Sequence, residues 1–536
     1  MRPQRKKNRK GTGAGFMSDL HALAKEMAQR GVGRVFGIPG SGPSLTLLDA
    51  LEKEAVPFYL THFEGSAVLM AGAVGRLSGK AGAAIGIKGP GLANMVPGLS
   101  ACLLEALPVV TISEAYLPGT PSSKSHKRMN HQGLLSAAAK GSRFLAKSGP
   151  GFSELAEWAE SEVPGPVHLE IAGSPVEVEK EADRESNPGD KIGEADEALE
   201  MIRASSRPVL ILGSMAMRLK DTTGLDALSI PVFSVAAAKG TIDERLPQAA
   251  GVYTGVGLEK TPEHRIMAEA DLVVSIGLRH NEVLNAVPFK CRSVNIDPLG
   301  SAFCGGFRFD AVLTDAEKVT KACFEALREK EWGLDLIEES TRKLRDSLLS
   351  GPFLPARVFE TVEHHFNHQC RLVLDTGNFC TIGEHIWRVP APVLYLASGQ
   401  GRYMGIGLPL ALGAAVYDRG APTAVFLGDG GVGMFVAEIK LAAQYRLPLI
   451  ILLLTDGYLS SIRGSSLKDH LTERPVTIHR PSWAKTIEGL GVRSEVVGSE
   501  AELEEILSSW SLGSGPLFLE IPFNANAYQN MVEGIR

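Results

Sequence analysis

The stretch VFLGDGGVGMF, residues 425–435, sets glycines at 428, 430 and 433 in the G-x-G-x-x-G spacing that lets a backbone approach a dinucleotide pyrophosphate. Asp456, 23 positions past Gly433, stands near where a ribose-binding acid would be expected. Asp429, lodged among the glycines, argues otherwise. A carboxylate among backbone N–H donors, beside the positive end of a helix, repels a phosphate unless a cation lies between them. A hard divalent ion such as Mg²⁺ takes oxygen ligands and bridges carboxylates to phosphate oxygens. Asp456, 27 positions after Asp429, can offer a second oxygen to the same ion.

The elements around this loop place both acids at strand ends. APTAVFLG reads as a buried parallel strand, VGMFVAEIKLAAQYR (432–446) as the helix after the loop, and LPLIILLLTD as the next strand, running into Asp456. The same alternation of helix-like and strand-like stretches begins at Asp19 with LHALAKEMAQRG and VGRVFGIPG and lasts to about Ser174. A polar stretch, PVEVEKEADRESNPGDKIGEADEA, then fits a linker. A second alternating block starts at RPVLILGSMAM and fades near Phe324, and a charged helical stretch over 328–350 leads to a third that opens with RLVLDTGNF. The fold class expected is α/β, with three doubly wound parallel-sheet domains over residues 17–175, 190–330 and 352–536 behind a basic tail at 1–16. The first and third blocks are similar in length and Gly-rich at strand ends, where open parallel sheets bind ligands.

Gly428-Asp429-Gly430, followed after 27 positions by a polar residue and a short turn, resembles the metal–diphosphate motif of thiamine diphosphate (ThDP) enzymes of the acetolactate synthase and 2-oxoacid decarboxylase superfamily. The resemblance implies that Asp429, the Asp456 side chain and the Tyr458 backbone carbonyl hold Mg²⁺ on the diphosphate, with Gly428, Gly430, Gly431 and Asn378 against the cofactor. Asp456 departs from the asparagine usual there. SGQGRYMGIGLPLALGAA (398–415) is similar to the segment before the metal loop, in which the residue matching Met404 supports the cofactor between its two rings. YLTHFEGSAVLMAGAVGRLSGKAG resembles the segment whose glutamate, here Glu64, hydrogen-bonds the pyrimidine ring so that the reactive ylid can form. GIPGSGPSLTLLDAL (37–51) and GPGLANMVPGLSACLLEALPVVTIS (89–113) extend the likeness over nearly the whole chain, with the middle block the least specific.

On that resemblance the first domain binds the aminopyrimidine and the third the diphosphate, and the Glu64 domain of one subunit meets the metal-binding domain of another. A homodimer or homotetramer is implied. The reaction implied is decarboxylation of a 2-oxo acid, after which the enamine is protonated, as in a decarboxylase, or added to a second carbonyl, as in a carboligase. Some relatives hold FAD in the central domain, but LGSMAMR and GLRHNEV are too degenerate to support a nucleotide here.

Several cations depart from the acetolactate synthase pattern. Lys88 directly precedes Gly89-Pro90-Gly91, where a small serine is usual, and His126 and Lys127, counted back from Lys140, fall where Phe and Gln are typical. Arg402 lies in the cofactor loop and Arg463 follows the metal turn. The expectation is that these residues converge on a second anionic group of the substrate, a carboxylate, sulfonate or phosphonate. Solvated loop cations are the competing reading. EHHFNH (363–368) lacks a second ligand cluster at zinc spacing and reads as a helix surface.

Bulk properties bound the remaining classes. Of 536 residues, 44% are hydrophobic and 22% charged, and no apolar run approaches the roughly 18 residues of a membrane span, so a soluble protein is expected. Six cysteines form no C-x-x-C pair and follow no secretory signal, which points to reduced thiols and a cytoplasmic location. MRPQRKKNRK carries six basic residues, yet the whole chain has a net charge of -6, so nothing beyond the tail suits nucleic acid. Two other classes stay open on sequence alone. One is a nicotinamide- or flavin-dependent oxidoreductase using the 428–433 loop, and the other a ThDP-binding relative that has lost catalysis.

Overall fold

A computed structural model of the chain describes residues 12–40, 42–116, 127–145, 151–172, 195–219, 222, 224–279, 282–297, 307–314 and 316–535. Their strands form three six-stranded sheets, parallel throughout. The first contains β1 (Val35–Gly37), β2 (Phe58–Leu60), β3 (Gly82–Gly86), β4 (Val109–Glu114), β5 (Gly141–Phe144) and β6 (Pro166–Ile171), in the order β2-β1-β3-β4-β6-β5. The second contains β7 (Pro208–Leu212), β8 (Val232–Ser234), β9 (Ala249–Val252), β10 (Leu272–Ile276), β11 (Arg292–Ile296) and β12 (Ala311–Leu313), in the order β12-β11-β10-β7-β8-β9. The third contains β13 (Arg371–Leu374), β14 (Tyr395–Ala397), β15 (Thr423–Gly428), β16 (Leu449–Thr455), β17 (Arg493–Val496) and β18 (Leu517–Pro522), in the order β14-β13-β15-β16-β18-β17. Counted from its own first strand, the third sheet repeats the order of the first.

The chain divides into two compact units. The described residues within 1–183 and 412–417 make up one, which holds the first sheet, and those within 184–411 and 418–536 the other, which holds the second and third. Parallel strands covered by helices on both faces must be apolar along their whole length. β16, LIILLLT, is buried at every position, and so is β7, PVLIL. Beside β16 the Phe426 ring of β15 stacks on Phe359 with centroids 4.0 Å apart. Among the described residues no helix is long and apolar enough to cross a membrane.

Two expectations need correction. The 432–446 stretch is not one helix: a four-residue turn of helix, Asp429–Val432, is followed by a 3₁₀ turn, Val436–Glu438, and only then by the helix Ile439–Tyr445. Glycines at 430, 431 and 433 weaken a helix that would have to start at the loop. The EHHFNH stretch is helical only to His365, where the helix Pro355–His365 ends, and Asn367 and His368 turn with positive φ.

Candidate active site

The strand order of the third sheet reverses between β13 and β15, and ligands of open parallel sheets bind at the carboxyl ends on such a crevice. The loops that follow β13, β15 and β16 there enclose a cavity of about 290 Å³. Asn378, Met404, Gly428 to Gly431, Asp456 and Tyr458 all line it. Residues far apart in sequence are thus brought to one crevice, and both acids are buried.

Asp429 ties two strand ends together. Its Oδ1 accepts from the Thr455 hydroxyl at 2.6 Å, and its Oδ2 accepts from the backbone N–H groups of Asp456 and Gly457 at 2.9 Å each. The Asp456 carboxylate accepts from the Tyr458 N–H at 3.1 Å and from the Ser460 hydroxyl. Burial raises the Asp456 carboxyl above its ordinary range, and the neighbouring Asp429 charge adds to that. A carboxylate offers roughly four acceptor directions, so three are used on Asp429 and two on Asp456, and each keeps room for a metal bond. Two buried acids that repel each other, with acceptor capacity left beside a glycine-walled cavity, fit a divalent cation bound with a diphosphate. Among the described residues no group of three or more His, Cys, Asp or Glu side chains gathers as a metal site, which leaves two acids and a carbonyl as the available set.

Met404 packs against the glycine loop. A Cβ on Gly430 would lie 2.7 Å from the Met404 sulfur, so only glycine admits that contact. One residue escaped the sequence reading. Asp375, buried at the end of β13, accepts from the backbone N–H groups of Gly405 at 3.0 Å and Gly407 at 3.2 Å and so anchors the Met404 loop. A Cβ on Gly431 would come within 2.0 Å of its Oδ2. Burial pushes the Asp375 carboxyl up to about 6 against the pull of those N–H groups. Asn378 opens the helix Asn378–Ile386, and its Oδ1 accepts from the Ser461 hydroxyl at 2.8 Å.

In the first unit Glu64 is the first residue of the helix Glu64–Ser78, a position where the helix dipole favours a carboxylate. It is buried and accepts from Asn94 Nδ2 at 3.0 Å. Lys88 follows β3, and its Nζ donates to Glu114 Oε2 at 2.8 Å. Glu114 also accepts from the Ser44 hydroxyl at 2.6 Å. Burial alone would raise its carboxyl, but the hydrogen bonds from Lys88 and Ser44 and the Lys88 charge hold it below the ordinary value. Lys127 is exposed, and its carbonyl packs against Gly89, where a Cβ would approach to 1.9 Å. His126 lies outside the described residues.

The two arginines expected to join this cluster are engaged elsewhere. Arg402 pairs with Glu384 at 3.2 Å. Arg463 donates to Glu473 at 2.6 Å and to Asn526 at 2.8 Å, and stacks over the Tyr458 ring. In the central domain, the turn after β7 is tied by a carboxylate of the same domain. Glu282 accepts from the Ser214 N–H at 3.0 Å, from its hydroxyl, and from Arg279 Nε at 2.9 Å.

Three parallel sheets in this order suit a ThDP-binding enzyme, and the chain belongs to the thiamine pyrophosphate enzymes. Residues 17–134 match the N-terminal TPP binding domain of that family, residues 195–319 its central domain and residues 375–521 its C-terminal TPP binding domain. Among relatives, the probable acetolactate synthase large subunit of Methanococcus aeolicus is 24% identical, covering 96% of this chain and 94% of its own. The acetolactate synthase isozyme 3 large subunit of Escherichia coli is 25% identical over 84% of each chain. The probable 2-ketoarginine decarboxylase of Pseudomonas aeruginosa is 26% identical over 93% of each. The dinucleotide reading of the 428–433 glycines falls with these matches and with the broken helix behind the loop.

Proposed function

We propose that the protein decarboxylates a 2-oxo acid at a ThDP·Mg²⁺ centre and that its substrate carries a second anionic group. The observation that carries this reading is the Asp429–Asp456 pair facing one cavity with Met404. Asp429, Asp456 and the Tyr458 carbonyl would hold Mg²⁺, and the glycines at 428, 430 and 431 would let the diphosphate approach the backbone. ThDP, when bound, supplies the electron sink that accepts the pair released with CO₂. Met404 would brace the cofactor between its rings, and Glu64 would hold a proton at the pyrimidine nitrogen. The remaining fragment is protonated or joined to a second carbonyl, and relatives named as decarboxylase and as synthase stand on the two sides of that choice. A homodimer or homotetramer completes each site from two subunits.

For the substrate's extra anion the supporting residues are Lys88, held in place by Glu114, and the neighbouring Lys127. Arg402 and Arg463 are left out as residues of the other unit; like Lys88, each is paired with an acid of its own unit. A thermal-shift assay tests the centre: ThDP with Mg²⁺ should raise Tm in wild type by mass action and fail to do so in Asp429→Ala. CO₂ release and product analysis over a panel of 2-oxo acids then separates protonation from carboligation. Lys88→Ala should lower kcat/KM for dianionic substrates about tenfold or more relative to pyruvate, the loss of one charge-assisted contact. An unchanged preference would remove the second anionic group from the proposal.

A further inference from the structure

The turn that carries Lys88 is held by a histidine that the cofactor chemistry does not use. His131 opens the short helix His131–Leu135, and its ring is largely buried. Nε2 accepts the Gly89 backbone N–H at 2.9 Å, while Nδ1 faces Glu170 Oε1 at 2.5 Å. Accepting at Nε2 requires that nitrogen to be bare, so the proton sits on Nδ1 and is donated to Glu170. Gly89 adopts φ +66, open to glycine but strained for other residues, and precedes Pro90, which offers no N–H of its own. The Gly89 N–H is therefore the one backbone donor by which Gly89-Pro90 can be tied at this point, and His131 takes it.

We propose that His131 is a positioning residue for substrate choice: its neutral ring fixes the Lys88–Gly89 turn, and protonation of Nε2 releases it. This deepens the preceding section and rests on its assignment of Lys88 to a second anionic group of the substrate. An imidazolium would set Nε2–H against the Gly89 N–H, donor facing donor, and the Gly89 N–H would lose its partner, while the Ala93 N–H still bonds the Gly89 carbonyl. Of the charged and titratable groups, Glu170 of β6 bonds the ring and His168 of β6 senses it, Lys88 of the turn pairs with Glu114 of β4, and Lys127 and Arg128 precede the helix in sequence. His168 does not compete for the role. Its two nitrogens are engaged by the Thr111 and Ser113 hydroxyls, and burial pushes it down to about 3.

The test uses full-length protein and two substitutions. His131→Gln can place a side-chain oxygen near the Nε2 position without a group that titrates, whereas His131→Ala leaves nothing there. Hydrogen–deuterium exchange over residues 86–92, without cofactor, should be about tenfold faster at the Gly89 amide in His131→Ala and close to wild type in His131→Gln. With ThDP and Mg²⁺, the ratio of kcat/KM for a dianionic 2-oxo acid to that for pyruvate should fall on acidification in wild type. It should stay flat in His131→Gln and stay low in His131→Ala. Wild-type exchange in His131→Ala, or an unaltered acid limb in His131→Gln, overturns the proposal. If His131→Ala does not fold, the acid limb of His131→Gln decides alone. A wild type without any dianion preference overturns the substrate assignment of Lys88, and the exchange experiment then still decides whether His131 holds the turn.

Discussion

Asp375 shows how a residue without a motif governs one that has a motif. Its carboxylate holds the backbone on either side of Ile406, directly after Met404, and stands against Gly431 of the metal loop. Its folded-state pKa of about 6 lies above the ordinary aspartate value of 3.8, so between these values the native chain binds a proton that the unfolded chain does not. Stability therefore rises as pH falls through that window; as pH rises the increment is lost across it and the curve levels off above about 6. Asp375→Asn lacks this increment. Thermal melts from about pH 7 down to about pH 4 should show wild type gaining on the variant, and parallel curves would refute the assignment.

Legibility at this scale follows from how a residue acts. Asp429 and Asp456 stand out in the sequence because a carboxylate inside a phosphate-type glycine loop has few chemical excuses, and the structure lines one cavity with both. Asp375 does not stand out, since an acid before Thr-Gly-Asn looks like any turn, and its partners are 30 and 32 positions away. The same holds for Lys88. Its type is visible in the chain, but its partner Glu114 is found only once β3 is paired with β4.

Among elements, the buried parallel strands were the easiest to read and the helix after the metal loop the hardest. β16 is seven residues of unbroken burial, which the run LIILLLT announces by composition. The helix expected at 432–446 is apolar at suitable spacing, yet Gly433 near its start, with Gly430 and Gly431 just before it, leaves it as short turns. Local propensity won there over periodicity. β16 also supplies the element-scale prediction. Leu452 is fully buried in the core of the third sheet, so Leu452→Ala should cost roughly 2–5 kcal/mol in unfolding free energy. Because the strand ends at Thr455, which donates to Asp429, that loss should also weaken the ThDP–Mg²⁺ thermal shift. Urea unfolding with and without cofactor checks both parts.

For the whole molecule, three blocks of alternating strands and helices were visible because each βα unit repeats the same punctuation, and three parallel sheets are what the described residues form. What sequence spacing cannot reveal is that the second and third sheets group into one compact unit and the first into another. If Glu64 meets the pyrimidine of a cofactor whose diphosphate is held by a second subunit, two dead variants should rescue each other. Glu64→Gln and Asp429→Ala, each inactive alone, should recover roughly a quarter of wild-type activity when co-expressed, since half of randomly paired dimers keep one intact site. No recovery in verified mixed dimers would place both residues in the same subunit's site.

The repeated strand order of the first and third sheets lets their matching strand ends be compared. At the ends of β15 and β16 stand two carboxylates, Asp429 and Asp456, and at the ends of β3 and β4 an ammonium and a carboxylate, Lys88 and Glu114. One copy of the plan thus carries its positive charge covalently and is indifferent to chelators, while the other must recruit its proposed cation from solution.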